Sequence, residues 1–233
     1  MTRQSLTIVF PLYQQITQLD FTGPHQILSR LPGARVIRAS ADGGVVTAED
    51  GLTFPTQRLA EVEACDVLCV PGGFGCAEAM LDAAFIGEVR RLGLGARYVT
   101  SVCTGSLILG AAGLLRGRRA ACHWAWRDLL VPFGATPDAA RVVRDGHVLT
   151  GGGVTAGLDF ALTLAAEIAG PDVAQALQLG FEYSPEPPFD AGRPETAPPQ
   201  ILAAVEAHTA KMIAPRREAV MAAAAALRAG ADG

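Results

Sequence analysis

The stretch Arg97-Tyr-Val-Thr-Ser-Val-Cys103-Thr-Gly-Ser106 constrains this chain more than any other. Its β-branched run, residues 99–102, reads as a buried strand that stops at a cysteine. The small residues Thr104, Gly105 and Ser106 then open directly into the helical pattern of residues 107–112. A strand that feeds a helix through so short a turn presents the turn residue at the carboxyl end of a sheet, as a nucleophile elbow does. The helix aims its N–H groups and positive dipole end back at the turn, which predicts a lowered pKa and a nucleophilic role for Cys103.

The remaining sequence alternates short apolar runs with helical patterns, the mark of a mostly parallel α/β sheet with helices on both faces. Strands are expected at residues 6–10, 34–39, 66–70 and 99–102, with turn signals at 42–44 and 49–51 around a short strand pair. Residues 141–144 and 147–150 form a hairpin around Asp145-Gly146. Helices are expected at 21–30, 78–94, 124–131, 154–169, 171–179 and, interrupted by Pro215, 201–229. The Pro-, Glu- and Gly-rich residues 183–199 read as a surface loop. The whole, 1–233, is one domain in which 181–233 form a C-terminal loop and helical extension.

Composition narrows the class. With 50% hydrophobic and 18% charged residues the chain has enough apolar material for a packed core. A net charge of −4 with scattered arginines leaves no stripe for nucleic acid, and no apolar run is long enough to span a membrane. Residues 1–10 pass straight into a strand without a leader, and five irregularly spaced cysteines suit a reducing compartment, so a cytoplasmic location is expected. No Cys/His comb has metal-ligand spacing, so no metal is expected. Of the other cysteines, Cys65 and Cys69 belong to an apolar run, Cys76 to a loop, and Cys122 follows a strand.

Ligands of open parallel sheets bind outside the strand carboxyl ends, where three further loops converge. In the first, Asp20 is either the N-cap of a helix starting at Phe21 or an acid facing Cys103. The second, Val70-Pro-Gly-Gly-Phe-Gly75, offers the N–H groups of Gly72 and Gly73 as half of an oxyanion hole. In the third, Gly151-Gly-Gly-Val-Thr155, close backbone approach or an anion at the helix N-terminus are both open, without phosphate-loop spacing. A cysteine–histidine dyad has His123 as its nearest candidate in sequence, a structural histidine being the alternative. Phe21, Phe74, Trp124, Trp126 and Leu158 are candidates for an apolar pocket lining.

These stretches resemble the ThiJ/PfpI superfamily and, within it, the isonitrile hydratase branch. The likeness is carried by Thr17-Gln-Leu-Asp-Phe-Thr-Gly-Pro24, Val70-Pro-Gly-Gly73, Ser101-Val-Cys-Thr-Gly-Ser106, Gly117-Arg-Arg-Ala120, His123-Trp124, residues 150–159 and Pro187-Pro-Phe-Asp190. Amidase-like domains fused to helix-turn-helix regulators share part of this pattern, but residues after Gly180 lack a basic recognition helix. The resemblance implies a flavodoxin-like three-layer sandwich, a homodimer and no cofactor. By position it places the nucleophile on Cys103, its acidic partner on Asp20, the residue after the nucleophile on Thr104 and the second oxyanion-type donor on Gly73; Thr104 is expected to join the catalytic pair, and Gly72, Gly73 and His123 to bind substrate. Proteases of the superfamily carry histidine after the nucleophile; Thr104 departs from that.

The implied reaction is addition of water to a small-molecule isonitrile, R–N≡C, giving an N-substituted formamide through a Cys103 thioimidate. Its competitors are a glyoxalase-like or amide-hydrolysing activity of the same cysteine, a redox sensor oxidised at Cys103, and a ligand-sensing domain.

Overall fold

The structure is a computed structural model describing residues 5–230. The leaderless start read from residues 1–4 lies outside them. In chain order the elements are β1 (Leu6–Pro11), α1 (Gln18–Leu28), β2 (Ala34–Ser40), β3 (Gly44–Thr47), β4 (Thr53–Arg58) and β5 (Val67–Val70). Next come α2 (Cys76–Leu81), α3 (Ala83–Gly95), β6 (Tyr98–Val102), α4 (Gly105–Ala111), β7 (Arg119–Ala120), β8 (Thr136–Pro137), β9 (Val142–Asp145) and β10 (Val148–Gly151). Three helices close the chain: α5 (Ala156–Ala169), α6 (Pro171–Gly180) and α7 (Pro199–Ala229).

The main sheet has the order β3-β4-β2-β1-β5-β6-β10-β9. Its middle is parallel, and its two edge pairs, β3–β4 and β9–β10, are antiparallel. Every residue of β5 and β6 is buried, as helices on both faces require of a central parallel strand. Each fully buried Val or Leu there contributes roughly 1.5–3 kcal/mol. Helices α1, α5 and α6 pack with one another, and α2, α3, α4 and α7 form a second group, giving the flavodoxin-like three-layer sandwich. Chain order reverses between β1 and β5, so the crevice of the fold opens there.

Three expected elements shift. Helix α1 begins at Gln18 rather than at Phe21. The single helix expected over 78–94 is two, because Asp82 stops one and caps the next, accepting from the Ala84 and Phe85 N–H groups at 3.0 Å. The helix expected at 124–131 is a 3-10 segment, Arg127–Phe133, carrying Pro132 and ended by left-handed Gly134. Pro215 does not interrupt α7, which runs through it. Among the described residues, no helix is long and apolar enough to cross a membrane.

Candidate active site

Strand β6 ends at Val102 and the chain turns at once. Cys103 sits at φ 58°, in the left-handed region that a β-carbon disfavours. Its N–H donates to the Gly151 carbonyl at 3.2 Å, tying the elbow to β10. Gly105 allows the turn to press against β5, since a β-carbon there would collide with the Val70 carbonyl.

Two residues of the elbow act as a clamp. Ser106 Oγ donates to the Ala121 carbonyl at 2.6 Å, which leaves Ser101 Oγ to donate to Ser106 Oγ at 2.8 Å. The Ala121 N–H in turn donates to Thr150 Oγ1 at 2.7 Å. These buried bonds draw the segment after β7 onto the sheet, and Cys122 thereby comes beside Cys103, whose ionisation it opposes.

Asp20 is wholly buried inside the first turn of α1. The N-cap is Thr17, without a side-chain cap bond, so the capping reading of Asp20 is overturned: the helix starts ahead of it. Its Oδ2 instead accepts the Gly72 N–H at 3.0 Å, while Oδ1 is buried with no hydrogen-bond partner. Burial pushes this carboxyl from its ordinary 3.8 up to about 7, against the Gly72 N–H and the neighbouring Cys103 thiol, which favour its charged form.

The Pro71–Gly73 loop is spent on this arrangement. The Gly73 N–H donates to Thr104 Oγ1 at 3.0 Å, and Tyr13 Oη donates to the Pro71 carbonyl at 3.0 Å. A β-carbon on Gly72 would lie 2.6 Å from Thr104 N and Oγ1 and 2.7 Å from Asp20 Oδ2. The expected free donors of an oxyanion hole are therefore corrected: Gly72 orients the acid and Gly73 the hydroxyl of Thr104. What Thr104 offers Cys103 is its backbone N–H, which favours the thiolate.

The lowered thiol pKa expected for Cys103 is also overturned. Burial, then the charge of Asp20, then Cys122, push it well above its ordinary value, and the Thr104 N–H offsets only part. Helix α4 has only seven residues, and its dipole end is outweighed. Near neutral pH sulfur and carboxyl together thus hold at least one proton, in a buried pair that titrates as a unit. Such a pair can pass a proton to a carbon that sulfur attacks.

His123 is not among the groups acting on Cys103. It stacks on Trp124 at 5.6 Å, and its Nδ1 accepts the Ala125 N–H at 3.3 Å. Burial lowers its pKa. With Cys122, Trp124, Arg127, Gly153 and Arg193 it lines a cavity of about 270 Å³. The proposed apolar lining is dispersed: Phe21 packs on Phe10 and Phe54, and Leu158 lies over Gly23. Phe74 and Trp126 face Arg216 of α7. That arginine escaped the sequence reading, because nothing local in an alanine-rich helix marks a side chain that reaches residue 74, 142 positions earlier. Cys76, read as a loop residue, is the buried first residue of α2.

A Cys elbow, an acid from the β1–α1 junction and a glycine loop after β5 now stand at adjacent strand ends. The DJ-1/PfpI family pattern matches residues 6–167. This chain belongs to the DJ-1/PfpI family. Within that family it is 49% identical over 224 residues to the isonitrile hydratase of Pseudomonas putida, covering 96% of this chain and 98% of that protein. The solved structure of a ThiJ/PfpI family protein from Pseudomonas syringae superposes with a TM-score of 0.90 at 40% identity, covering 95% of this chain and 91% of that one. Drosophila melanogaster DJ-1beta superposes at 0.69 with 25% identity, over 77% of this chain and 98% of that one. The DJ-1/PfpI match ends within α5, and the similarity to the Pseudomonas proteins continues beyond it.

Proposed function

We propose that this protein is an isonitrile hydratase, a cysteine-dependent hydro-lyase that needs no cofactor. The observation that carries the proposal is the pairing of Cys103 on a strained elbow with a wholly buried Asp20 whose carboxyl titrates near neutrality. The near full-length similarity to the Pseudomonas putida isonitrile hydratase supports it.

An isonitrile carbon must receive both a soft nucleophile and a proton, and the pair supplies both. Ionised Asp20 takes the Cys103 proton as a sulfur electron pair forms the C–S bond to the terminal carbon. Asp20 then delivers that proton to the same carbon, giving R–N=CH–S–Cys103. With Asp20 again ionised, it takes a proton from water as the water oxygen adds to this carbon, and the proton passes to nitrogen. The C–S bond breaks with its electron pair leaving on sulfur, which recovers a proton through Asp20, and R–NH–CHO departs.

Thr104 supports the sulfur through its N–H, Gly72 and Gly73 hold Asp20 and Thr104 in place, and His123 forms part of the substrate wall. A homodimer in the cytoplasm, built from one domain with residues 181–233 as its extension, completes the proposal. A buried, protonated thiol is a poor match to peroxide sensing, which selects exposed low-pKa thiols. The test is purified protein with cyclohexyl isonitrile, product read by mass spectrometry. Formamide from wild type and none from Cys103→Ala is expected; formamide from both removes Cys103 from the chemistry.

A further inference from the structure

Residues 181–198 join α6 to α7 with no helix or strand of their own. Irregular connections of this length are uncommon in a packed domain, and those that persist usually serve a function. This strap is anchored at its start, where Tyr183 Oη donates to Asp159 Oδ1 at 3.1 Å and the Tyr183 carbonyl accepts from Gln178 Nε2 at 3.3 Å. Beyond that point, among the described residues, residues 184–198 form no ion pair and no hydrogen bond to the body of the domain. Their bonds are local, as in those of the Thr196 and Ala197 N–H groups to the Arg193 carbonyl. Residues 192–195 nevertheless return to the domain and close one side of the cavity of about 270 Å³. Its other walls come from residues 122–124 and 127, 139–141 and 152–155.

The charges around that cavity indicate what fills it. Arg127 and Arg141 border it from the body and Arg193 from the strap, against one acid, the exposed Glu195. Arg141 is spent on Asp159 at 2.6 Å and on Thr155 Oγ1 at 3.2 Å. The guanidinium groups of Arg127 and Arg193 form no ion pair among the described residues. Like charges held around one small space repel each other, and each free fork presents paired N–H donors that match a carboxylate or a phosphate. The stacked His123 and Trp124 rings, 30° apart in plane, add an aromatic wall for the organic part of a ligand. A volume just under the ~300 Å³ at which pockets for drug-sized ligands begin suits a small molecule. Cys103 is not part of the lining; the cavity lies at the end of β10, beyond the Gly151 carbonyl that accepts the Cys103 N–H.

We propose that this cavity binds a small organic acid whose carboxylate or phosphate is shared between Arg127 of the body and Arg193 of the strap. The apolar part of the ligand lies against Trp124. The ligand supplies the contacts that the strap lacks and so fastens residues 184–198 to the domain. The site stands apart from the reaction at Cys103, and its test uses no isonitrile.

Phe189 is 78% exposed within the strap, so chymotrypsin cleavage after it reports whether the strap is fastened. The full chain, in low-salt buffer to limit screening, is titrated by calorimetry with benzoate, phenyl phosphate and the neutral analogue benzamide. It is then digested with and without each. At least one of the two acids should bind and slow cleavage at Phe189 by roughly fivefold or more, and the tighter of them identifies the carboxylate or the phosphate as the preferred group. Benzamide should do neither. Arg127→Gln and Arg193→Gln should each weaken binding by about tenfold and remove most of the protection. No binding of either acid at millimolar concentration overturns the proposal, as does benzamide binding as tightly as benzoate, or acid binding that both variants leave unchanged. Should Arg127→Gln misfold, Arg193→Gln decides alone, since the strap that carries it makes no hydrogen bond to the body beyond Tyr183.

Discussion

Replacing Asp20 with Asn should stabilise the protein above neutral pH while disabling it. The carboxyl is wholly buried, and burial raises it from 3.8 to about 7. At ~1.4 kcal/mol per pH unit, holding it ionised in the folded state costs about 4 kcal/mol. The unfolded chain releases this proton near pH 4 and the folded protein near pH 7. Between those values the folded state binds more protons, so the contribution of Asp20 is fully favourable below pH 4 and is lost as pH rises through 7. Asn carries no charge, and its Oδ1 can accept the Gly72 N–H in place of Oδ2. Its amide must then occupy the position of Oδ1, which has no partner, and that offsets part of the gain. A net stabilisation of about 2 kcal/mol at pH 8 remains, on the order of 5 °C in thermal midpoint for a chain of this size. The gain should shrink by half or more at pH 5. Thermal unfolding of both proteins followed by circular dichroism at the two pH values reads this directly. Formamide production by Asp20→Asn should fall by about 10²-fold or more. An Asn variant less stable by ~1 kcal/mol at both pH values, with near-normal turnover, would refute the reasoning and return Asp20 to a local structural role.

Wild-type kcat/KM should rise with pH through an apparent pKa near 7, as Asp20 becomes able to take the thiol proton, and stay level to pH 9, because Cys103 ionises well above its ordinary value. A fall in rate across pH 6–8 contradicts the proton assignment. Gly72→Ala places a methyl 2.6 Å from Thr104 and 2.7 Å from Asp20; it should cost roughly 1–3 kcal/mol of stability and at least tenfold in turnover, measured by unfolding and by formamide assay on the same sample.

The features legible in the sequence are those written locally. The Cys103 elbow needs only a β-branched run, a small-residue turn and a helical pattern, and the β9–β10 hairpin needs Asp145-Gly146, where Gly146 takes φ 63°. The start of α1 was not legible because Thr17 marks it without a capping bond. The break at Asp82 was legible in principle, since aspartate before two alanines is an N-cap pattern, but helical periodicity on both sides masks it. The direction of the Cys103 pKa was misread for a deeper reason. A helix dipole can be inferred from neighbours in sequence, whereas burial and the charge of Asp20 arise only once β1, β5 and β6 lie side by side. Ser106 is legible in sequence only as a small residue of the turn, whereas in the fold its Oγ donates to the Ala121 carbonyl, fifteen residues away. Arg216 belongs to the same class of long-range contact.

The central claim is that sulfur of Cys103 bonds to the isonitrile carbon with transfer of its own proton to that carbon. Intact mass of the protein, acid-quenched within the first turnover of cyclohexyl isonitrile, tests it most directly. The account predicts an adduct of the full isonitrile mass, mapped to Cys103 by peptide mass, absent from Cys103→Ala and decaying as formamide appears. Formamide accumulating from wild type with no adduct at any quench time, and undiminished in Cys103→Ala, would contradict it.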